Sequence, residues 1–166
     1  MPLAHVGLGS NLGDSLSIFR SVLDDFAQHQ ATEVVAVSSF YVTKPLGSVQ
    51  QADYLNAVTS LKTQLSPHQL LSLLQSLELQ YGRERSGKNW ESRTLDLDVL
   101  LYDDLIINDP DLAVPHPGML ERDFVLFPLY EISPQVMIPG FGLLSKALQG
   151  CKNRGMKKLN EYHEQF

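Results

Sequence analysis

The chain opens on a short apolar stretch, Leu3 to Gly9, whose length and following turn residues Ser10-Asn11-Leu12-Gly13 predict a buried strand. Beyond the turn, Leu16, Phe19, Val22, Leu23 and Phe26 recur at helical spacing. Glu33 to Val42 is rich in β-branched and aromatic residues, and Tyr54 to Leu65 alternates with Leu55, Ala57, Thr59 and Leu61 on one side, so both read as strands. Ser66-Pro67 supplies a cap and a proline at the first helical position. Leu70, Leu71, Leu74 and Leu77 then give a second amphipathic helix, ending near Gly82. Leu95 to Tyr102 sets Asp96, Asp98 and Leu100 against Leu95, Leu97, Val99 and Leu101, and a tight turn at Asp103-Asp104 predicts a small hairpin into Leu105-Ile106-Ile107.

The order β-α-β-β-α-β predicts an α+β fold, a ferredoxin-like βαββαβ core with both helices on one face of an antiparallel sheet. The remainder decorates that core with an additional strand pair and a C-terminal helix. Phe124 to Ile132 reads as an edge strand interrupted by Pro128, and Leu143 to Leu148 as a last helix closed by Gly150. With 166 residues and no internal repeat, a single domain spanning 1–166 is expected.

Charge and composition narrow the partners. A formal charge of -6 argues against a broad nucleic-acid surface, and the apolar runs are too short to cross a bilayer. The N-terminus lacks the pattern of a signal peptide and Cys151 is a lone cysteine, so a cytoplasmic protein is expected, and a monomer because nothing resembles an interface repeat. Against this acidic background Arg83, Arg85, Lys88 and Arg93 cluster in one loop, which suggests a local patch for a small polyanion.

Asp96 and Asp98 lie two apart on a predicted strand, so their carboxylates share a face with Cα atoms about 6.5 to 7 Å apart. Such a pair suits Mg²⁺ held together with substrate phosphates. It equally suits a solvated sheet face. Tyr54 and Asn56 also share one strand face, offering an aromatic surface beside an amide that can both donate and accept. Gly7, Gly9 and Gly13 lack the spacing of a dinucleotide fingerprint and read mainly as tight-turn chemistry. His116, between Pro115 and Pro117, is a rigidly presented imidazole that could touch phosphate.

Joined together, these pieces resemble a known family. Trp90 followed by Arg93-Thr-Leu-Asp96-Leu-Asp98-Val-Leu-Leu is similar to the signature of the 6-hydroxymethyl-7,8-dihydropterin pyrophosphokinase family. Gly9-Ser-Asn-Leu, Ser38-Ser-Phe-Tyr, Pro45-Leu-Gly, Asp53-Tyr-Leu-Asn56, Glu78-Leu-Gln-Tyr-Gly-Arg83, Val114-Pro-His116-Pro and Phe127-Pro-Leu-Tyr-Glu-Ile resemble further family segments in the same order.

The resemblance implies that the pterin hydroxymethyl oxygen attacks the β-phosphorus of ATP and AMP leaves, in a step of folate biosynthesis. It implies that Asp96 and Asp98 bind two Mg²⁺ ions, with Asp96 near the reacting hydroxymethyl group. Arg83 and Arg93 match arginines that engage substrate phosphates, and Arg85, His116 and Arg122 match triphosphate contacts. Gln75, Glu78, Trp90 and Val99 match the nucleotide-binding set. Thr43, Pro45, Leu46 and Asn56 correspond to pterin-edge contacts, with Tyr54 and Phe124 on the two faces of the ring. Asn89, Glu91, Asp111 and Pro117 depart from the family pattern. These departures leave a pterin-binding paralogue with weak or altered transfer as the alternative.

Overall fold

The computed structural model describes residues 1–10, 14–43, 54–82, 95–153 and 155–159. In chain order the first half comprises β1 (Leu3–Ser10), α1 (Ser15–Gln28), β2 (Thr32–Val37), β3 (Phe40–Thr43), β4 (Tyr54–Thr63), α2 (Pro67–Tyr81) and β5 (Asp96–Tyr102). It is followed by β6 (Ile107–Asn108), β7 (Ala113–Val114), α3 (Asp123–Ile132), β8 (Met137–Ile138), β9 (Gly142–Leu143), α4 (Leu144–Gln149) and β10 (Lys157–Leu159).

Capping sets where the two long helices begin. Asp14 accepts from the Ser17 amide ahead of α1, and Ser66 with Gln69 forms a reciprocal capping box ahead of α2, satisfying amides that the first turn leaves open. Strand order in the main sheet is β10-β3-β4-β1-β5, with β2 also pairing β4, and every pairing is antiparallel.

The sheet has two unlike faces. Ala4, Val6 and Leu8 of β1, Leu55, Ala57 and Leu61 of β4, and Leu97 and Val99 of β5 are buried in one core with Phe19, Val22, Leu23 and Phe26 of α1 and Leu70, Leu74 and Leu77 of α2. Alternation sends the intervening residues to the other side. There Val58, Leu100 and Leu101 form a second core with Val125, Leu126 and Leu129 of α3 and Leu144 and Ala147 of α4. A register shift between His5 and Val6 explains how consecutive Leu100 and Leu101 both reach that second core, while Tyr102 returns to the first. Strict alternation from the sequence had separated Leu100 from Leu101.

Three further expectations are corrected. The stretch from Phe124 to Ile132 is not an edge strand but lies in α3. Its buried residues Val125, Leu126, Pro128 and Leu129 follow helical spacing, so burial of one apolar face outweighs the backbone bond that Pro128 cannot donate. The stretch Glu33–Val42 is divided into β2 and β3 at Ser38-Ser39. There Ser38 Oγ accepts from the Val58 amide, and the Ser39 amide and hydroxyl donate to Glu131. Tyr41 also donates to Glu131, at 2.6 Å, so this carboxylate ties the end of α3 to the break. Burial pushes its pKa up, but the donors from Tyr41 and Ser39, with the charge of Lys158, outweigh that and hold it below the usual range. Finally, the turn at Asp103-Asp104 exists, with Asp103 at φ +48°, but β6 pairs with β7 and not with β5. No helix among the described residues is long and apolar enough to cross a membrane.

Candidate functional site

α3 covers only part of the second sheet face, and the uncovered part is a cavity of about 490 Å³. Its floor is built from three neighbouring strands. Asp96 and Asp98 of β5 stand opposite Gly9 and Gly7 of β1, and Gly9 in turn stands opposite Asn56 of β4. Directly paired residues share a face, so the two carboxylates, the two glycines and the amide belong to one surface.

The glycines matter for space, not for turn geometry. A Cβ at Gly9 would lie 3.2 Å from Asn56 Oδ1, and one at Gly7 would lie 3.5 Å from Leu100. The reading of these glycines as turn residues is corrected: both lie within β1 and line the cavity. Their absent side chains keep open a stripe between the carboxylates and the amide.

Asn56 is 7% exposed and its Nδ2 donates to Thr43 Oγ1 at 2.9 Å, which leaves its orientation fixed by a neighbour. Tyr54, one alternation away, and Phe124, at the start of α3, also line the cavity. Arg122 places its guanidinium 5.8 Å from the Phe124 ring centre. A Cβ at Gly118 would come within 3.1 Å of that guanidinium, so this glycine also gives the arginine room. His116 Nε2 lies 3.8 Å from Asp98 Oδ2, while its Nδ1 accepts from the Gly118 amide at 3.1 Å. That acceptor role puts the proton of the neutral ring on Nε2, toward the carboxylate. Burial lowers the His116 pKa and the charge of Arg122 lowers it further, against the opposing pull of Asp98.

Thus Thr43, Tyr54, Asn56, Asp96, Asp98, Arg122 and Phe124 are brought together, with His116 at their edge. Other candidates lie elsewhere. Val99 is 3% exposed in the first core. Glu78 is buried beneath the sheet, where it accepts from the Leu97 amide at 2.9 Å, and Gln75 is exposed on α2. Pro45, Leu46, Arg83, Arg85, Trp90 and Arg93 fall outside the described residues. Asp111, one of the departures, has its Oδ1 3.4 Å from His68 Nε2, which also lies 3.0 Å from Asp109 Oδ2.

Gly7, Leu100, Asp123 and Met156 line the cavity without having been singled out as site residues. The period-two spacing of Gly7 and Gly9 matches that of Asp96 and Asp98, but spacing alone does not separate a glycine in a turn from one on an open strand face. Asp123 is 3% exposed at the start of α3, a position the sequence pattern put just ahead of an expected edge strand.

The sequence profile of the 7,8-dihydro-6-hydroxymethylpterin-pyrophosphokinase family matches residues 5–134. The chain belongs to this family. A 2-amino-4-hydroxy-6-hydroxymethyldihydropteridine pyrophosphokinase of Haemophilus influenzae is 41% identical over 160 residues, covering 96% of this chain and 99% of that relative. The enzyme of the same name from Bacillus subtilis is 46% identical over 134 residues, covering 81% of this chain and 80% of its own length. Among solved structures, Plasmodium falciparum HPPK-DHPS wild type with SDX-DHP matches with a TM-score of 0.69 at 12% identity. That match covers 90% of this chain but 43% of the solved one, so this chain spans under half its length and the likeness is one of fold.

Proposed function

We propose that this member of the family transfers pyrophosphate from ATP to 6-hydroxymethyl-7,8-dihydropterin, giving AMP and the pterin diphosphate in folate biosynthesis. The observation that carries the reading is the juxtaposition of two carboxylates and one oriented amide across a stripe of glycine, in a cavity large enough for a bicyclic ring. The strand order β5-β1-β4-β2, all antiparallel, supports a ferredoxin-like βαββαβ core as its scaffold.

In this reading the Asn56 amide pairs with the polar edge of the pterin, and its hydrogen bond to Thr43 holds it in one orientation before substrate arrives. Tyr54 and Phe124 pack on the ring. Arg122 and His116, on the Phe124 and Asp98 sides of the cavity, meet the phosphates of ATP, and the arginines at positions 83, 85 and 93 supply further charge.

Asp96 and Asp98 fit Mg²⁺ because they offer two hard oxygen donors on one face, and the Asp98 side chain is 45% exposed and open to phosphate. When bound, Mg²⁺ neutralises phosphate charge and polarises the phosphorus that is attacked. In this reading Asp96, paired with Gly9 in the same row as Asn56, accepts the proton of the attacking hydroxyl. Phosphorus NMR of the products tests the assignment. The expected result is a pterin carrying two phosphorus atoms, together with AMP. Inorganic phosphate and ADP in their place would reject it.

A further inference from the structure

The last described residues reach the same cavity, and the reaction above leaves them unused. β10 pairs antiparallel with β3, setting Lys157 opposite Val42, Lys158 opposite Tyr41 and Leu159 opposite Phe40. Phe40 belongs to the first core and Leu159 packs against it there. Lys158 falls on the other face, its Nζ 5.9 Å from the Tyr41 ring centre. Alternation then returns Met156, the residue just before β10, to the cavity side, and continued register sets it beside Thr43. Met156 is half-buried and lines the cavity with Thr43, Tyr54 and Asn56.

A ring seated against the Asn56 amide therefore lies within the walls that Met156 completes. The thioether is unbranched, polarisable and able to pack against the edge of an aromatic ring, but as a weak acceptor with no donor it does little to orient one. We propose that Met156 is a substrate-contacting residue through which the C-terminal segment sets affinity for the flat heterocycle. This rests on the pterin reading above. Because the contact is apolar, and Met156 stands at the β10 end of the sheet while Asp96 and Asp98 lie on β5 at the other end, it stabilises the bound ring equally before and during transfer. Its loss falls on KM for the pterin and not on kcat.

Oxidation footprinting of the wild-type chain tests this without a variant. Peroxide converts accessible methionines to sulfoxides, and Met1 and Met137, 64% and 58% exposed, serve as internal references. Saturating hydroxymethyl dihydropterin should slow Met156 oxidation roughly fivefold, leaving Met1 and Met137 unchanged. Met156→Ala should raise the pterin Kd about threefold to tenfold, with kcat and the KM for ATP within about twofold. Lys157→Ala, on the opposite face of the same segment, should leave pterin binding as it is. Pterin binding with Met156 still oxidised at the free rate overturns the inference alone, as does an equal loss in Met156→Ala and Lys157→Ala. A wild-type chain that binds no pterin overturns the functional reading and this inference with it.

Discussion

The same three strands, β1, β4 and β5, present opposite chemistry on their two faces. Toward α1 and α2 the alternate residues are buried and mostly apolar, and both helices pack against them. Toward α3 the alternate positions begin with Asp96, Asp98, Gly7, Gly9 and Asn56 before giving way to Val58 and Leu100. The first face is a core throughout. The second is a core for half its length and the floor of an open cavity for the rest, and the boundary lies where side chains change from apolar to polar or absent. A sheet stays rigid under an open cavity because its other face is fully packed.

Removing a carboxylate from the open half gives the largest expected effect. Asp98→Ala should lower kcat roughly 10³-fold, with pterin binding much less affected, as read by steady-state kinetics and calorimetry. Equal loss of both would mean that Asp98 shapes the pocket and takes no part in transfer.

The covered half should respond in stability. Leu100 is 1% exposed, lies under α3 and faces the site of a Gly7 side chain, so Leu100→Ala should cost about 2 to 5 kcal/mol by chemical denaturation. A cost near zero would show that α3 is not packed as a second core.

His5 gives the same face a pH dependence. It is 2% exposed, its Nε2 contacts Ser133 Oγ at 2.8 Å, and its Nδ1 has no partner among the described residues. Burial pushes its pKa down to about 4 from an ordinary 6.5. The folded state therefore keeps the ring neutral while the unfolded chain takes up a proton below about 6.5. This contribution to stability is complete above that pH and is lost as pH falls toward 4, for roughly 3 kcal/mol in all. In His5→Gln that part of the acid sensitivity should vanish, measured as the wild-type minus variant difference between pH 7 and pH 4.5. An unchanged difference would show that His5 is solvated.

How much of this contrast was legible follows from the same distinction. β1, α1, β4, α2 and β5 could be read because one side of each is mainly apolar, and the period of that side declares helix or strand. The carboxylate pair and the Tyr54-Asn56 pair were legible for the same reason, as polar breaks at period two. Gly7 and Gly9 were not, because glycine reports a turn and a close approach with the same letter. α3 was misread because its aromatic residues and Pro128 look extended in isolation, whereas its helical burial depends on Val58 and Leu100, which lie far away in sequence. Val99 and Glu78 follow the family pattern, yet they lie on the closed side of the sheet, a distinction the motif alone does not carry.

The smallest expected effect separates the two glycines. Gly9→Ala puts a methyl 3.2 Å from Asn56 Oδ1 and should weaken pterin binding about tenfold, whereas Gly7→Ala meets Leu100 at an ordinary 3.5 Å and should change it less than threefold or so. Calorimetry of both variants with pterin checks the order. The reverse order would remove the glycine stripe from the account.

AMP release from ATP by the purified chain measures the central claim most directly, that the open half of this face is a pyrophosphate-transfer site. AMP should form only when Mg²⁺ and 6-hydroxymethyl-7,8-dihydropterin are both present, in equal amount to the pterin diphosphate. A folded chain that releases no AMP with all three components at saturation would contradict it.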